Sequence, residues 1–268
     1  MDPLVITHNA GFFSCYTIRL LNILSYFNTN KKCPKIIDSS KQFIDYKINK
    51  YKDYTYEYIK LNDSLNIEYY NDIKLTNEDS EEQFSNYKNL NFQIIKPFIN
   101  KYFSPSDNIL KIVYELENNY NLDYENLAVF YYRGTDKYIE TNLCDYNTFI
   151  EKATQIKNNN NNINIKFLIV SDEINLITLF KNKFSDTIVF NELLNNMERS
   201  FIHSQLILAS VLIMSKSKYI ICTSGNVSLW IILFRGNNSN IHQYLSQKEY
   251  IYGVKNKSFD INNNMFWI

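Results

Sequence analysis

The sequence from Leu127 to Lys137 reads LAVFYYRGTDK. Its first six residues are apolar or aromatic, which is the pattern of a short and fully buried β-strand. The run ends at Arg133, and the polar residues up to Lys137 follow it directly. Because the carboxyl ends of parallel strands form the ligand edge of an open α/β sheet, this stretch predicts a ligand site. The alternative is a polar turn in which Arg133 and Asp136 form a surface salt bridge.

The residues after the strand favour a phosphate-bearing ligand. The planar guanidinium of Arg133 can grip a diphosphate with two charge-assisted hydrogen bonds at once. Lys137 adds a point charge, and Gly134 allows the backbone to turn or to approach a ligand closely.

Composition limits the classes of function. The 268 residues are enough for one large domain or two smaller ones. Lys plus Arg and Asp plus Glu each number 28, which argues against a nucleic-acid or membrane-surface binder, because such proteins carry a basic excess. Any anion site is therefore local. The abundant Asn, Ile, Lys and Tyr have A/T-rich codons and predict an A/T-rich genome.

The four cysteines are scattered, and we expect neither a zinc site nor a disulfide framework. Cys15 and Cys222 lie in apolar runs and are expected to be buried. The N-terminus has no signal-peptide pattern. The longest apolar run, from Leu206 to Met214, is shorter than the ~20 residues that span a bilayer. We therefore expect a soluble, cytoplasmic protein without a membrane span.

The first half begins like a Rossmann-like unit, with a strand at residues 4–7, a turn from Asn9 to Gly11 and a helix over residues 12–27. A single glycine is not the full dinucleotide fingerprint. The turn is therefore either structural or a ligand loop to which Asn9 and Gly11 contribute. Ser39 is positioned to cap a helix that runs to about Asn49.

The second half alternates strands and helices, which indicates βαβ units and a parallel sheet. Strands are expected at residues 127–132, 165–170, 187–190 and 218–222. Polar residues follow three of them: Arg133, Asp136 and Lys137; Asp172 and Glu173; and Ser224, Gly225 and Asn226. The last group leads into a helix N-terminus, whose N–H groups and dipole favour a phosphate. Asp172 either bonds a base or ribose or caps the next helix.

The run from Tyr132 to Lys137 resembles the His-x-Arg-Arg-Thr-Asp-Lys motif of the α1,6-fucosyltransferases, including core and nodulation enzymes, and more distantly the protein O-fucosyltransferases. Three further stretches are similar to this family in order and spacing: Gly11 to Tyr26, Phe167 to Glu173, and Met214 to Ser224. The resemblance covers the second half well and the first half only at its start.

The resemblance implies an α/β fold of GT-B type, with two Rossmann-like domains, mainly parallel sheets and a ligand cleft between them. A helix-start signal at Ser104 to Asp107 places the boundary. The predicted domains are residues 1–105 on the acceptor side and residues 106–268 around the nucleotide sugar. The implied activity is inverting transfer of fucose from GDP-fucose to a glycan or glycoconjugate hydroxyl, without a metal or cofactor. A transferase with another nucleotide sugar, or a non-catalytic α/β module that binds a glycan or a partner, remains the alternative.

By resemblance, Arg133 binds the diphosphate with the help of Lys137, and Asp136 orients the arginine or the donor. Donors of this kind stabilise the charge that develops on the leaving diphosphate. Glu140 is the candidate general base for the acceptor hydroxyl. Its alternative role is an exposed acid that leads a helix.

The remaining implied contacts come from other loops. Asp172 contacts the guanine or the ribose, and the loop from Ser224 through Gly225 to Asn226 holds phosphate oxygens. Asn9 and Gly11 join the nucleotide-sugar site from the N-terminal turn. The chain also departs from the family, since Tyr131, Gly134 and Ser210 stand where the family has a histidine, a second arginine and an acid.

Overall fold

The computed structural model describes residues 3–68, 71–78, 80–141, 143–159, 164–245 and 267–268. The strands in these residues are β1 (Leu4–Val5), β2 (Ile37–Asp38), β3 (Ile59–Lys60), β4 (Ser104–Pro105), β5 (Leu127–Tyr132), β6 (Lys166–Ser171), β7 (Tyr219–Thr223) and β8 (Ile241–Tyr244). The helices are α1 (Phe12–Asn30), α2 (Phe92–Tyr102), α3 (Asp107–Asn119), α4 (Tyr146–Asn159), α5 (Ile174–Lys183), α6 (Asn191–Leu194), α7 (Phe201–Lys216) and α8 (Asn226–Arg235). Short 3-10 turns lie between them, among them Glu82–Phe84, Tyr87–Asn89 and Lys137–Ile139.

The largest sheet of the described residues is parallel throughout, with the strand order β6-β5-β7-β8. In β5, Tyr132 lies opposite Ser171 of β6, and Tyr131 lies opposite Cys222 of β7. The loops that leave these three strands therefore emerge side by side at one edge. The predicted α/β fold with a parallel sheet is confirmed.

Strand β5 is apolar along its whole length because both of its faces are covered. All of its side chains are buried, and successive residues point to opposite faces. Phe130 packs against Phe149 of α4 and Phe180 of α5, with ring centroids 5.6 and 4.9 Å apart. Val129 belongs to the core on the other face. Burial on both faces accounts for the unbroken apolar run.

Trp230 of α8 lies within the larger core. It is fully buried, and its ring centroid is 5.0 Å from that of Tyr16 in α1 and 4.7 Å from that of Phe103. Its indole N–H donates to Thr17 Oγ1 at 3.0 Å. This core extends from Phe12 to Ile241, so residues from both predicted domain ranges contribute to it.

A second Rossmann-like domain is predicted for residues 1–105, but the strands described there form two short pairs. β1 pairs in parallel with β2, and β3 pairs antiparallel with β4. The two-domain GT-B arrangement is therefore not confirmed, and the division at residue 105 stays a prediction.

The predicted helix from Ser39 to Asn49 is wrong. The backbone at Phe43 is left-handed, with a φ of 59°, a conformation that does not fit inside a right-handed helix. A single 3-10 turn at Ile44–Tyr46 follows it. Phe43 is fully buried, with its ring centroid 5.3 Å from that of Phe12. Packing against a distant helix therefore overrides the local cap signal.

Other local signals have mixed outcomes. Ser106 caps α3, because its Oγ accepts from Ile109 N at 3.3 Å, which confirms the helix-start signal. Cys15 and Cys222 are free and buried, as predicted. The predicted strand at residues 187–190 is reduced to one bridge at Ile188, and β8 completes the sheet without having been predicted.

Candidate functional site

The loop after β5 holds a paired arginine. Arg133 Nε donates to Asp136 Oδ1 at 3.0 Å, and Arg133 Nη2 donates to Asp136 Oδ2 at 2.7 Å. Partial burial acts to raise the pKa of Asp136, but the hydrogen bonds and charge of Arg133 outweigh it and hold that pKa below its usual value. The Arg133 side chain is 35% exposed, and its other N–H groups have no partner in the described part of the chain. These groups are open to a ligand.

Asp172 holds the backbone of the same loop. Its Oδ1 accepts from Gly134 N at 2.8 Å, and its Oδ2 accepts from Thr135 N at 3.3 Å. Asp172 does not cap the next helix, since the N-terminus of α5 has no side-chain cap. An anionic acceptor that fixes two N–H groups gives the loop that carries Arg133 a defined backbone.

The space beside Gly134 is filled by Glu173. A Cβ at Gly134 would lie 2.5 Å from Glu173 Oε1 and 2.7 Å from Glu173 Cγ. Glu173 Oε2 accepts from the hydroxyl of Tyr146 at 3.0 Å, and burial together with this carboxylate raises the pKa of Tyr146 to about 12. Gly134 therefore leaves room for the Glu173 side chain. The related motif has an arginine at this position.

Lys137 is buried and engaged. Its side chain is 4% exposed, and its Nζ donates to Glu140 Oε2 at 2.6 Å and to Gln83 Oε1 at 3.1 Å. The Phe84 ring lies 4.7 Å from the same Nζ. Burial lowers the pKa of Lys137, although the Glu140 carboxylate acts in the opposite direction. The Glu140 side chain is 40% exposed.

The N-terminus of α8 reaches the same edge. Asn226 Nδ2 donates to Gln83 Oε1 at 3.2 Å, and Gly225 N donates to the hydroxyl of Tyr87 at 2.9 Å. A Cβ at Gly225 would lie 3.9 Å from Lys137 Cε. The first turn of α8 and the loop after β5 are therefore in contact.

Ser224 is buried behind this edge and ties its loop to β8. Its backbone N donates to the Tyr244 carbonyl at 3.2 Å, and its Oγ accepts from Gln243 Nε2 at 3.0 Å. Ser224 directly precedes Gly225 and Asn226 in the chain, but its hydroxyl forms a hydrogen bond within the protein.

Asn9 and Gly11 lie before α1. Asn9 is exposed, and its Oδ1 accepts from Ile44 N at 2.9 Å. A Cβ at Gly11 would meet no heavy atom within 4 Å. In the described residues, no hydrogen bond connects either residue with the cluster around Arg133, so the structure does not join these two predicted binding residues to it.

Three residues of this edge were not predicted. Gln83 bridges Lys137 and Asn226, Tyr87 bonds Gly225, and Gln243 Oε1 accepts from Tyr87 N at 2.9 Å. The segment around the first two has no helical or strand period. The one local signal is Asn86, whose side chain accepts from Lys88 N, and that spacing predicts a turn without placing it in the fold.

The local charge is not a simple basic patch. Two cations and four carboxylates meet at these strand ends: Arg133, Lys137, Asp136, Glu140, Asp172 and Glu173. Both cations are paired within the protein. An anion here would rely on the outward N–H groups of Arg133 and on the helix N-terminus of α8.

Two cavities among the described residues do not include this site. Cavities of about 330 Å³ and 360 Å³ lie near α1 and α2, and neither is lined by Arg133, Lys137 or Asp172. Within the described ranges, no three His, Cys, Asp or Glu side chains are grouped to hold a metal ion. In the same ranges, no helix combines the length and apolar character needed to cross a membrane.

Known proteins resemble the chain in structure. No family model and no curated protein matches its sequence. The selenomethionine form of the fucosyltransferase NodZ from Bradyrhizobium is similar over 91% of this chain and 95% of that chain, with a TM-score of 0.57 and 10% identity. The chain has a fucosyltransferase-like fold. At this identity the likeness concerns the fold alone.

Two further solved structures are similar over a little more than half of the chain. NodZ α-1,6-fucosyltransferase co-crystallized with GDP is similar over 57% of this chain and 48% of that chain, at 10% identity and a TM-score of 0.43. The apo form of POFUT1 is similar over 56% and 49%, at 9% identity and a TM-score of 0.38. The chain thus spans about half the length of these two proteins.

Proposed function

We propose that the protein is a glycosyltransferase that binds a nucleotide sugar at the carboxyl edge of its parallel sheet. The proposed reaction is inverting, metal-independent transfer of fucose from GDP-fucose to a glycan hydroxyl. The fucosyltransferase-like fold supports the class of reaction, and the motif from Tyr132 to Lys137 supports the donor. The observation that carries the proposal is Arg133, which directly follows the central strand with part of its side chain exposed while Asp136 fixes the plane of its guanidinium.

The leaving group explains why an arginine is useful here. Negative charge develops on the diphosphate as the bond to the sugar breaks, and the outward N–H groups of Arg133 can stabilise it. The N-terminus of α8 at Asn226 adds backbone N–H groups and a helix dipole. Strands β5 and β7 are adjacent, with Tyr131 opposite Cys222. Arg133 and the N-terminus of α8 can therefore bind the same ligand.

Glu140 is the proposed general base. A direct displacement needs a group that accepts the proton of the acceptor hydroxyl. Glu140 Oε2 is held by Lys137, and its other oxygen has no hydrogen bond among the described residues. We expect Glu140→Gln to abolish sugar transfer while GDP still binds, because the amide keeps the shape of the side chain but cannot take the proton.

Calorimetric titration with GDP, UDP, dTDP and CMP in the presence of EDTA tests the proposal. We expect micromolar binding of GDP, about −8 kcal/mol. Arg133→Ala should weaken it at least about tenfold, and Arg133→Lys should weaken it less, because lysine keeps the charge but loses the planar fork. Lys60→Ala is a matched control that removes one cation from an exposed ion pair with Asp107.

Each outcome has a distinct meaning. If UDP or dTDP binds more tightly than GDP, GDP-fucose is excluded as the donor, and the glycosyltransferase class still stands. GDP binding that appears only with a divalent cation would contradict metal independence. If folded protein binds none of the four nucleotides, the proposed function is wrong.

A non-catalytic α/β module is the second candidate. Both cations are paired internally, and Glu173 fills the space beside Gly134 where the related motif has its second arginine. These contacts favour a protein that keeps the fold to bind a glycan or a partner. GDP binding that depends on Arg133, without any consumption of GDP-fucose on a panel of glycan acceptors, would identify it.

A further inference from the structure

The side chain of Gln83 lies between two donors of the candidate site. Its Oε1 accepts from Lys137 Nζ at 3.1 Å and from Asn226 Nδ2 at 3.2 Å. The two donors come from different elements, the loop after β5 and the first turn of α8. An oxygen that accepts from an ammonium group and an amide beside a helix N-terminus has the surroundings of a phosphate oxygen.

The segment around Gln83 is anchored by buried rings, whereas the half-buried Gln83 side chain is held by hydrogen bonds alone. Phe84 is 6% exposed and Tyr87 is fully buried, and Tyr87 N donates to Gln243 Oε1 at 2.9 Å. Moving the whole segment would expose both rings to water, which is costly. Rotating the half-buried Gln83 side chain uncovers the two donors, and among the described residues the one further bond that it breaks is that from Nε2 to Glu81, at 3.3 Å.

We propose that Gln83 competes with the nucleotide. Its amide oxygen and an oxygen of the diphosphate use the same donors, Lys137 Nζ and Asn226 Nδ2, so the Gln83 side chain rotates away when the diphosphate binds. This inference rests on the proposed function, because it requires a phosphate-bearing ligand at this edge. It also accounts for a buried lysine in an anion site: Lys137 keeps its ion pair with Glu140 and exchanges a neutral acceptor for a charged one.

Two substitutions with opposite expected effects test the competition. Gln83→Ala removes the competing acceptor and should tighten GDP about fivefold in calorimetric titration, the worth of one net hydrogen bond. Gln83→Glu places a carboxylate beside Lys137 and should weaken GDP at least about tenfold, because a charge-assisted pair is harder to displace. A merely structural role of Gln83 predicts weaker binding for both variants. Gln93→Ala, an exposed glutamine of α2, is the matched control.

The outcomes separate this inference from the proposed function. If Gln83→Ala binds GDP no more tightly than wild type while Arg133→Ala still weakens it, the competition is refuted and the function stands. If neither wild type nor Gln83→Ala binds GDP, both fall together. Thermal denaturation of wild type and each variant checks that the protein used in the titration is folded. Should Gln83→Ala not fold, Gln83→Asn replaces it with the same expected sign, because the shorter side chain cannot reach both donors.

Discussion

Replacing Asp172 by asparagine perturbs the loop that presents Arg133. The carboxylate accepts from Gly134 N at 2.8 Å and from Thr135 N at 3.3 Å. Asparagine keeps one oxygen for Gly134 but turns an NH₂ group toward the N–H of Thr135. One bond therefore loses its charge assistance, and the other becomes a contact between two donors.

The expected magnitude follows from burial. A hydrogen bond to a charged group contributes about 1.5–3 kcal/mol, and a neutral one about 1 kcal/mol. Gly134 is buried and keeps a neutral bond, whereas Thr135 is exposed and water can replace its lost bond. We therefore expect Asp172→Asn to lower the free energy of unfolding by about 1–2 kcal/mol, and Asp172→Ala to lower it further, because it leaves the Gly134 N–H without a partner.

Urea denaturation and amide hydrogen exchange measure the effect. The Gly134 amide should exchange faster in Asp172→Ala than in wild type, because its acceptor is gone. Asp186→Asn, which removes the same charge at an exposed position, should change neither quantity. Unchanged stability and unchanged exchange at Gly134 would refute the structural role of Asp172. Selective loss of GDP binding at wild-type stability would instead favour the contact with guanine or ribose.

Two further predictions concern Gly134 in this loop and His242 in β8. Gly134→Ala should lower the free energy of unfolding by about 1–3 kcal/mol, because the new methyl group displaces Glu173. In a double-mutant cycle, Glu173→Ala should restore most of this lost free energy, and additive losses would contradict the contact between Gly134 and Glu173. Burial, with Lys152 and Lys88, lowers the pKa of His242 to about 4, against about 6.5 in an unfolded chain. Between these values the unfolded state binds a proton that the folded state does not, so acidification from pH 6.5 to 4 should cost about 2 kcal/mol after allowance for solvent screening. Thermal denaturation of His242→Gln should show a smaller loss over this range, and an equal loss would exclude His242 as the cause.

Local sequence signals predicted the second half of the fold well. Strand β5 begins and ends where the apolar run from Leu127 to Tyr132 does, because both faces of that strand are covered. Ser106 caps α3 as its position predicts. These features depend on neighbours in the sequence.

Features fixed by distant contacts could not be predicted in this way. The left-handed backbone at Phe43 depends on packing against Phe12, and the position of Tyr87 depends on a bond to Gly225, 138 residues away. The location of Lys137 at a strand end was predictable from the sequence. Its burial beneath Phe84 was not, because the segment that covers it has no periodic pattern.

The buried position of Trp230 also makes the protein suitable for label-free spectroscopy. The indole N–H donates to Thr17 Oγ1 at 3.0 Å, and Thr17 Oγ1 donates to Asn226 Oδ1 at 2.7 Å. The chain has one other tryptophan, Trp267. A ligand that reorients Asn226 alters the hydrogen bond of a deeply buried fluorophore and so shifts its emission. A molecule that binds elsewhere without disturbing Asn226 leaves the Trp230 emission unchanged, so in a Trp267→Phe variant this optical signal separates occupancy at the N-terminus of α8 from binding at other surfaces.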